Sequence, residues 1–272
     1  PAAPADILSR HRLRGARFVA RGQIAHVWKV TTEAGAPAAL KVFDGGSMGS
    51  EAGAPVLYRH WRGDGAPGLL AATSSYILLD WLEGPPLGDR VRRGDDEGAS
   101  AILAELGARL HTHELLCAEG LSPIAEYCKA LRDWGDGGAE VDLARSVCDE
   151  LLRDSGRHVG LHGDLHHDNI IETGAGAVAF DPKGVFGDPH FEYSNVFRNP
   201  RGAGTLCLDP ARARSLAAVI GARTGLDPQR LLRWAVPKAA LSLAWSGAGP
   251  DTMARGLPVL RALIDAAGLD RA

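Results

Sequence analysis

Hydrophobic and polar positions change rhythm about a third of the way along the chain. Residues 17–31 (RFVARGQIAHVWKVT) and 38–43 (AALKVF) are rich in β-formers and flank Glu33-Ala34-Gly35-Ala36-Pro37, so they predict an antiparallel hairpin. From 47 to 61 the spacing suits a helix with Ser50 as a candidate cap; Gly53 and Pro55 fit it only inside its first turn. Residues 68–73 and 75–82 predict two further strands, and Glu83-Gly84-Pro85-Pro86 cannot continue a sheet. A boundary therefore falls there, dividing 1–83 from 84–272, with a hinge at about 80–86.

Beyond it, apolar residues recur at intervals of three and four. Stretches 99–116, 122–134 and 141–153 predict helices, with Leu103, Leu106 and Leu110 on one face. Residues 157–180 interrupt this pattern with two short strands, 169–173 and 177–180, around the turn Gly174-Ala175-Gly176. Helices resume from 209. The expected class is α+β: a small β-rich N-terminal lobe with one helix, then a larger, mainly helical lobe.

Composition narrows the options without choosing among them. A chain of 272 residues, 45% apolar and 23% charged, folds as a globular protein with room for two lobes. Thirty Lys and Arg against 33 Asp and Glu give a formal charge of −3, too balanced for a protein that coats nucleic acid or a membrane surface. No nucleic-acid or membrane partner is expected, and no obligate protein partner is evident. Cys117, Cys128, Cys148 and Cys207 are too scattered for a metal or redox pair, which suits a reducing compartment and a cytoplasmic location. No apolar run nears the roughly 20 residues of a spanning helix, and the opening PAAPADILSRHR lacks a signal-peptide stretch.

The densest polar cluster is His162-Gly163-Asp164-Leu165-His166-His167-Asp168-Asn169, followed across the expected hairpin by Phe180-Asp181-Pro182-Lys183-Gly184. Phosphoryl transfer needs a carboxylate beside the attacking hydroxyl and oxygen ligands that hold Mg²⁺ against the phosphates. Asp164, Asn169 and Asp181 suit those three jobs: the spacing of five from Asp164 to Asn169 matches a kinase catalytic loop, and the hairpin returns Asp181 to Asn169. Lys41, on the strand Leu40-Lys41-Val42-Phe43, resembles the strand lysine that holds the α- and β-phosphates of ATP. A lone lysine on a strand is ordinarily a solvated edge residue; its place before the hinge raises the functional reading. Glu51, at the start of the small lobe's helix, is its expected partner, although a carboxylate there also favours the helix dipole.

Together these residues resemble the aminoglycoside phosphotransferase family of small-molecule kinases, particularly its streptomycin and hydroxyurea kinase branch, in HGDLHHDN followed by DPKG. The resemblance runs from the first strands to about Pro200 and is most specific between Leu161 and Asn199. It implies a bilobal protein-kinase-like fold, ATP and Mg²⁺ as cofactors, Asp164 as catalytic base, and Asn169 and Asp181 as metal ligands. The hinge would offer adenine the carbonyl of Asp80 and the amide of Leu82. The phosphate turn Arg21-Gly22-Gln23-Ile24-Ala25-His26, with Gly22 and Gln23 as candidate contacts, has one glycine where protein kinases have three. A protein kinase itself is excluded: after Asp181 the chain passes directly to Asp188-Pro189-His190-Phe191-Glu192-Tyr193, with no long activation segment. Asp188 is expected to cap a helix beneath the metal site. Asn195, Arg198 and Asn199 either face the acceptor or hold loops together.

The acceptor the family implies is a hydroxylated small molecule, foremost an aminoglycoside-type antibiotic such as streptomycin. Charge leaves this open, because residues 184–272 hold 7 acidic against 11 basic side chains. Asp89, Asp95, Asp96 and Glu97 add negative charge, interleaved with Arg90, Arg92 and Arg93. Hydroxyurea, a sugar or an amino sugar fits equally well. Two other classes remain: a metal-dependent hydrolase using His158, His162, Asp164, His166, His167 and Asp168, and a non-catalytic nucleotide-binding protein. His162 reads best as a core histidine that shapes its loop.

Overall fold

The computed structural model describes residues 1–112, 114–154, 156–247 and 249–270. Helix α1 (Ala5–Arg10) precedes β1 (Arg14–Arg21), β2 (Ala25–Thr31) and β3 (Pro37–Phe43), then α2 (Ala54–Trp61), β4 (Leu69–Ala72) and β5 (Tyr76–Asp80). The five strands form one antiparallel sheet in the order β1-β2-β3-β5-β4. Alternation decides what each face carries. Ala38 and Leu40 join Trp28, Val30, Tyr76 and Leu78 in a small core closed by Ile7 of α1, whereas Phe43, Ile77 and Leu79 join the main core with Leu57, Tyr58 and Trp61 of α2. Lys41 lies on that second face.

Three expectations for this lobe are corrected. Residues 17–31 are two strands, not one: the chain turns at Gly22-Gln23-Ile24, where the Gly22 N–H donates to the Ala25 carbonyl at 2.8 Å. The helix expected from 47 begins at Ala54, because 49–51 form only a single 3-10 turn. Ser50 does not cap it; Gly53 holds the N-cap position without a side-chain bond, and Pro55 lies in the first turn, where its missing N–H costs nothing.

The second lobe contains α3 (Gly88–Arg92), α4 (Asp96–Leu110), β6 (Ser122–Pro123), α5 (Ile124–Tyr127), α6 (Lys129–Arg132), α7 (Ala139–Arg153), β7 (Val159–Leu161), β8 (Ile170–Thr173), β9 (Gly176–Ala179), β10 (Val185–Gly187), α8 (Pro210–Thr224), α9 (Pro228–Trp245) and α10 (Pro250–Ala266). The helix expected at 99–116 starts earlier, at Asp96, because the Asp95 carboxylate accepts from the Gly98 N–H at 3.0 Å and caps it. It ends at Leu110; residue 113 of the expected span lies outside the described residues. Residues 122–134 form two single-turn helices, since Ser122 and Pro123 are drawn into a bridge with β10. Beyond Asp188 the chain makes a 3-10 segment, Pro189–Tyr193, in place of the expected longer helix.

The linker is tied to the β8–β9 hairpin. The Glu172 N–H donates to the Pro85 carbonyl at 3.0 Å, and the Leu87 N–H to that of Ile170 at 2.8 Å. Gly84, at φ +151°, runs so close to this hairpin that a Cβ on it would lie 2.0 Å from the Glu172 carbonyl oxygen. The expected α+β class, a sheet lobe followed by a helical lobe, is the observed one.

Candidate active site

Two chains of polar contacts meet where the lobes touch. In the first, Lys41 Nζ donates to Glu51 Oε2 at 2.5 Å and to Asp181 Oδ1 at 3.0 Å, and Glu51 Oε1 accepts from Lys183 Nζ at 3.0 Å. Burial draws the Lys41 pKa down, but Asp181 and Glu51 more than offset this and hold it above its ordinary value. Asp181 reaches the lysine from a left-handed backbone, φ +60°, in which its N–H donates to the Tyr58 hydroxyl at 3.2 Å. Such a conformation in a residue other than glycine costs about 1 kcal/mol or more.

The second chain surrounds Asp164. Asn169 closes the 3-10 turn His167–Asn169, and its carbonyl accepts from the Phe180 N–H at 3.0 Å, the last rung before Asp181. The Asn169 amide NH₂ donates to the Asp164 carbonyl at 3.0 Å and to Asp164 Oδ2 at 3.4 Å, which leaves the amide oxygen as a free donor for a cation. Asp164 Oδ1 accepts from Asn195 Nδ2 at 2.8 Å and lies 3.6 Å from Lys238 Nζ. Burial alone would raise the Asp164 pKa; Lys238, His166 and Lys183 outweigh it and hold the carboxyl below its ordinary value.

The loop carrying Asp164 is shaped chiefly by two buried side chains, His162 and Glu192. His162 Nε2–H donates to the Phe180 carbonyl at 2.9 Å, and Nδ1 accepts from the Asp164 N–H at 3.2 Å; the second bond needs the neutral ring, and burial lowers its pKa accordingly. The Glu192 carboxylate accepts from the N–H of His162 at 2.8 Å, the N–H of Gly163 at 3.1 Å and His111 Nε2 at 2.9 Å. Asp168 binds Arg92 and the Arg201 N–H.

Asp164 opens on a cavity of about 810 Å³ whose walls also carry Gln23, Lys183, Asn195, Arg198 and Lys238. Of the other expected site residues, Gly22, Lys41, Glu51, Asp80, Leu82, Asn169 and Asp181 are not on those walls. The charged lining is Asp164 and Glu126 against Lys183, Arg198, Arg201 and Lys238. Glu192, Asn195 and Lys238 are the residues sequence reasoning missed or left undecided; they contact the loop from 29 to 75 positions away, beyond any local motif.

The oxygen donors of Asn169 and Asp181 suit a hard cation such as Mg²⁺, which takes few protein ligands and completes its shell with phosphate and water. The histidine cluster does not suit zinc. Both His162 nitrogens are bonded within the fold, His167 is enclosed with neither nitrogen bonded, and among the described residues no group of three or more His, Cys, Asp or Glu is placed to hold a metal.

Residues 11–249 match the family model described as aminoglycoside/hydroxyurea antibiotic resistance kinase. A streptomycin 3''-kinase of Klebsiella pneumoniae is 33% identical over 214 residues, spanning 77% of this chain and 79% of the relative. A hydroxyurea phosphotransferase of Kitasatospora aureofaciens is 31% identical over 263 residues, 90% of this chain and 72% of the relative. Among solved structures, a thermostable aminoglycoside phosphotransferase APH(4)-Ia in complex with ADP and hygromycin B superposes with a TM-score of 0.67 at 16% identity, covering 96% of this chain and 97% of that one. An amicoumacin kinase holding AMP-PNP and Ca²⁺ gives 0.61 at 14% identity, over 94% and 90%. These likenesses make the fold a bilobal kinase-like one.

Proposed function

This chain belongs to the aminoglycoside/hydroxyurea antibiotic resistance kinase family and is a small-molecule phosphotransferase; we propose that it moves the γ-phosphoryl group of ATP to a hydroxyl of a small polar acceptor bound beside Asp164. The observation that carries this reading is the reach of Asp181, from the large lobe, to Lys41 of the small lobe at 3.0 Å, while Asp164 faces the open cavity. The ADP and AMP-PNP in the related structures support the choice of nucleotide.

In this mechanism the acceptor oxygen forms a bond to the γ-phosphorus, the bond from that phosphorus to the β,γ-bridging oxygen breaks, and ADP leaves with the electron pair. Asp164 orients the hydroxyl and accepts its proton. Lys41, steadied by Glu51, binds the α- and β-phosphates. The Gly22-Gln23 turn lies over the phosphates, and the backbone of Asp80 and Leu82 takes adenine at the junction of the 1–83 and 84–272 lobes. Asn169 and Asp181 would hold Mg²⁺, whose contribution is to offset phosphate charge. The scattered cysteines fit a cytoplasmic setting.

The name of the streptomycin 3''-kinase relative favours an aminoglycoside such as streptomycin, which would make the protein a resistance kinase, and that of the hydroxyurea phosphotransferase favours hydroxyurea. A second reading has its own support: the four cations and two carboxylates on the cavity wall suit a less cationic acceptor, such as hydroxyurea, a sugar or an amino sugar. ATP consumption with mass spectrometry of the product, run against streptomycin, other aminoglycosides, hydroxyurea and amino sugars, decides between them. Asp164→Asn should lose about 10²- to 10⁴-fold in turnover and keep its affinity for ATP. An Asn variant as fast as wild type would remove Asp164 from the role of base.

A further inference from the structure

Lys238 sits in the middle of α9 at 1% exposure, and an ammonium so enclosed must be compensated by its surroundings. Compensation comes from three directions. Nζ donates to the Tyr127 hydroxyl at 3.1 Å and to the Gly163 carbonyl at 3.5 Å, and lies 3.6 Å from Asp164 Oδ1. It also stands 5.0 Å from the ring centres of Tyr127 and Trp245 and 5.7 Å from that of Phe191, the range of cation–π attraction. The ammonium is thus fixed in an aromatic cage with its open side on the cavity and on the carboxylate.

The two oxygens of Asp164 are not equivalent. Oδ1 takes the Asn195 amide and the Lys238 ammonium, whereas among the described residues Oδ2 meets only the long Asn169 contact of 3.4 Å given above. We propose that Lys238 is a positioning residue for phosphoryl transfer: with Asn195 it pins Oδ1 of Asp164 and leaves Oδ2 as the oxygen that receives the acceptor's proton. This rests on the phosphotransferase mechanism with Asp164 as base. A purely structural lysine would have no reason to direct its charge at that carboxylate, since an apolar side chain would fill the same cage at lower cost.

The groups facing Lys238 are Asp164 and His166 from the loop, Tyr127 and Cys128 from the α5 end, Arg198, and Lys183. Burial, Arg198 and Lys183 push its pKa down, against Asp164 and Cys128, to about 8. Its charge is therefore present at neutral pH and lost above about pH 8.

The test uses the whole chain with ATP and three acceptors: streptomycin, hydroxyurea, and water alone, read as ADP release. Wild-type turnover should fall as pH rises through about 8. Lys238→Arg, which stays charged, should move that limb upward, and Lys238→Met should abolish it while lowering kcat by about tenfold or more with the KM for ATP nearly unchanged. Tyr127→Phe, which removes one acceptor of the ammonium together with the hydroxyl's own bond to the Gly163 carbonyl at 3.2 Å, should lower kcat more weakly. A wild-type kcat and pH limb in Lys238→Met overturns the proposal. If that variant does not fold, a wild-type pH limb in Lys238→Arg overturns it. Asp164→Asn in parallel keeps the failures apart: an active Asn variant removes the base itself, whereas an inactive one beside an unaltered Lys238→Met removes the lysine alone.

Discussion

Glu192 Oε2 lies 2.8 Å from the backbone nitrogen of His162, and its other oxygen takes the next N–H along, that of Gly163. A carboxylate at 1% exposure thereby holds the two residues immediately before Asp164. Glu192→Ala would leave two buried N–H groups and His111 without their acceptor, so we expect about 3–5 kcal/mol of destabilisation in urea unfolding. Glu192→Gln keeps one acceptor oxygen and should cost less. An alanine variant as stable as wild type would mean that the loop is held by other contacts.

The Lys41 contacts give a kinetic prediction. Lys41→Met removes the cation between Glu51 and Asp181, and its turnover should fall on the order of 10²- to 10³-fold, the range for loss of one preorganised electrostatic contact. Glu51→Gln leaves Lys41 bonded to Asp181 and should fall less. A Glu51→Gln variant as fast as wild type, measured at saturating ATP, would contradict an orienting role for Glu51.

The legible parts of this chain are those where local spacing and geometry coincide. Alternation over 38–43 puts Lys41 on the face opposite Leu40, and the small-residue turn within 169–181 folds Asp181 back toward Asn169. Other features depend on distant partners. The single glycine within 17–31 marks no reversal by local pattern, and only the resemblance places a phosphate turn at 21–26; the turn itself is set by pairing Arg21 with His26. The helical spacing of 122–134 was interrupted by strand pairing with β10, more than 60 residues on. The contacts of Glu192 and Lys238 with the Asp164 loop are likewise invisible to any short motif. Helix α1 is a short segment whose stability comes from Ile7 against the sheet, and its six residues carry too little periodicity to be read alone.

Close packing of two backbones yields a third expectation. A Cβ on Gly53 would lie 2.8 Å from the Gly184 Cα, where the start of α2 touches the segment after Lys183. Gly53 has an ordinary φ of −80°, so Gly53→Ala tests packing without conformational strain. It should destabilise by about 1–3 kcal/mol and lower turnover by parting Lys183 from Glu51. Gly35→Ala serves as the control: φ is +84° there with no atom within 4 Å, so it carries only the left-handed penalty and should leave turnover unchanged. Unaltered turnover in Gly53→Ala would show that the lobes tolerate the wider spacing.

Asp188 makes the acid limb of stability predictable. Its carboxylate, 5% exposed, accepts from the His190 N–H at 2.9 Å, His190 Nδ1 at 2.7 Å, Trp234 Nε1 at 2.8 Å and Arg230 Nε at 2.6 Å, binding the turn before Glu192 to α9. Burial would raise its pKa, but the bonds from His190 and Trp234 prevail and hold the carboxyl far below the usual carboxylate range. A depressed folded-state pKa means that the unfolded chain takes up the proton first. The stabilisation is therefore complete above the unfolded value, about 4, and is lost progressively as pH falls below it. Asp188→Asn should be much less stable than wild type at pH 7, and the gap in urea unfolding should narrow between pH 4 and pH 3. A gap that stays constant over that interval would show that the Asp188 charge contributes nothing beyond the shape of the side chain.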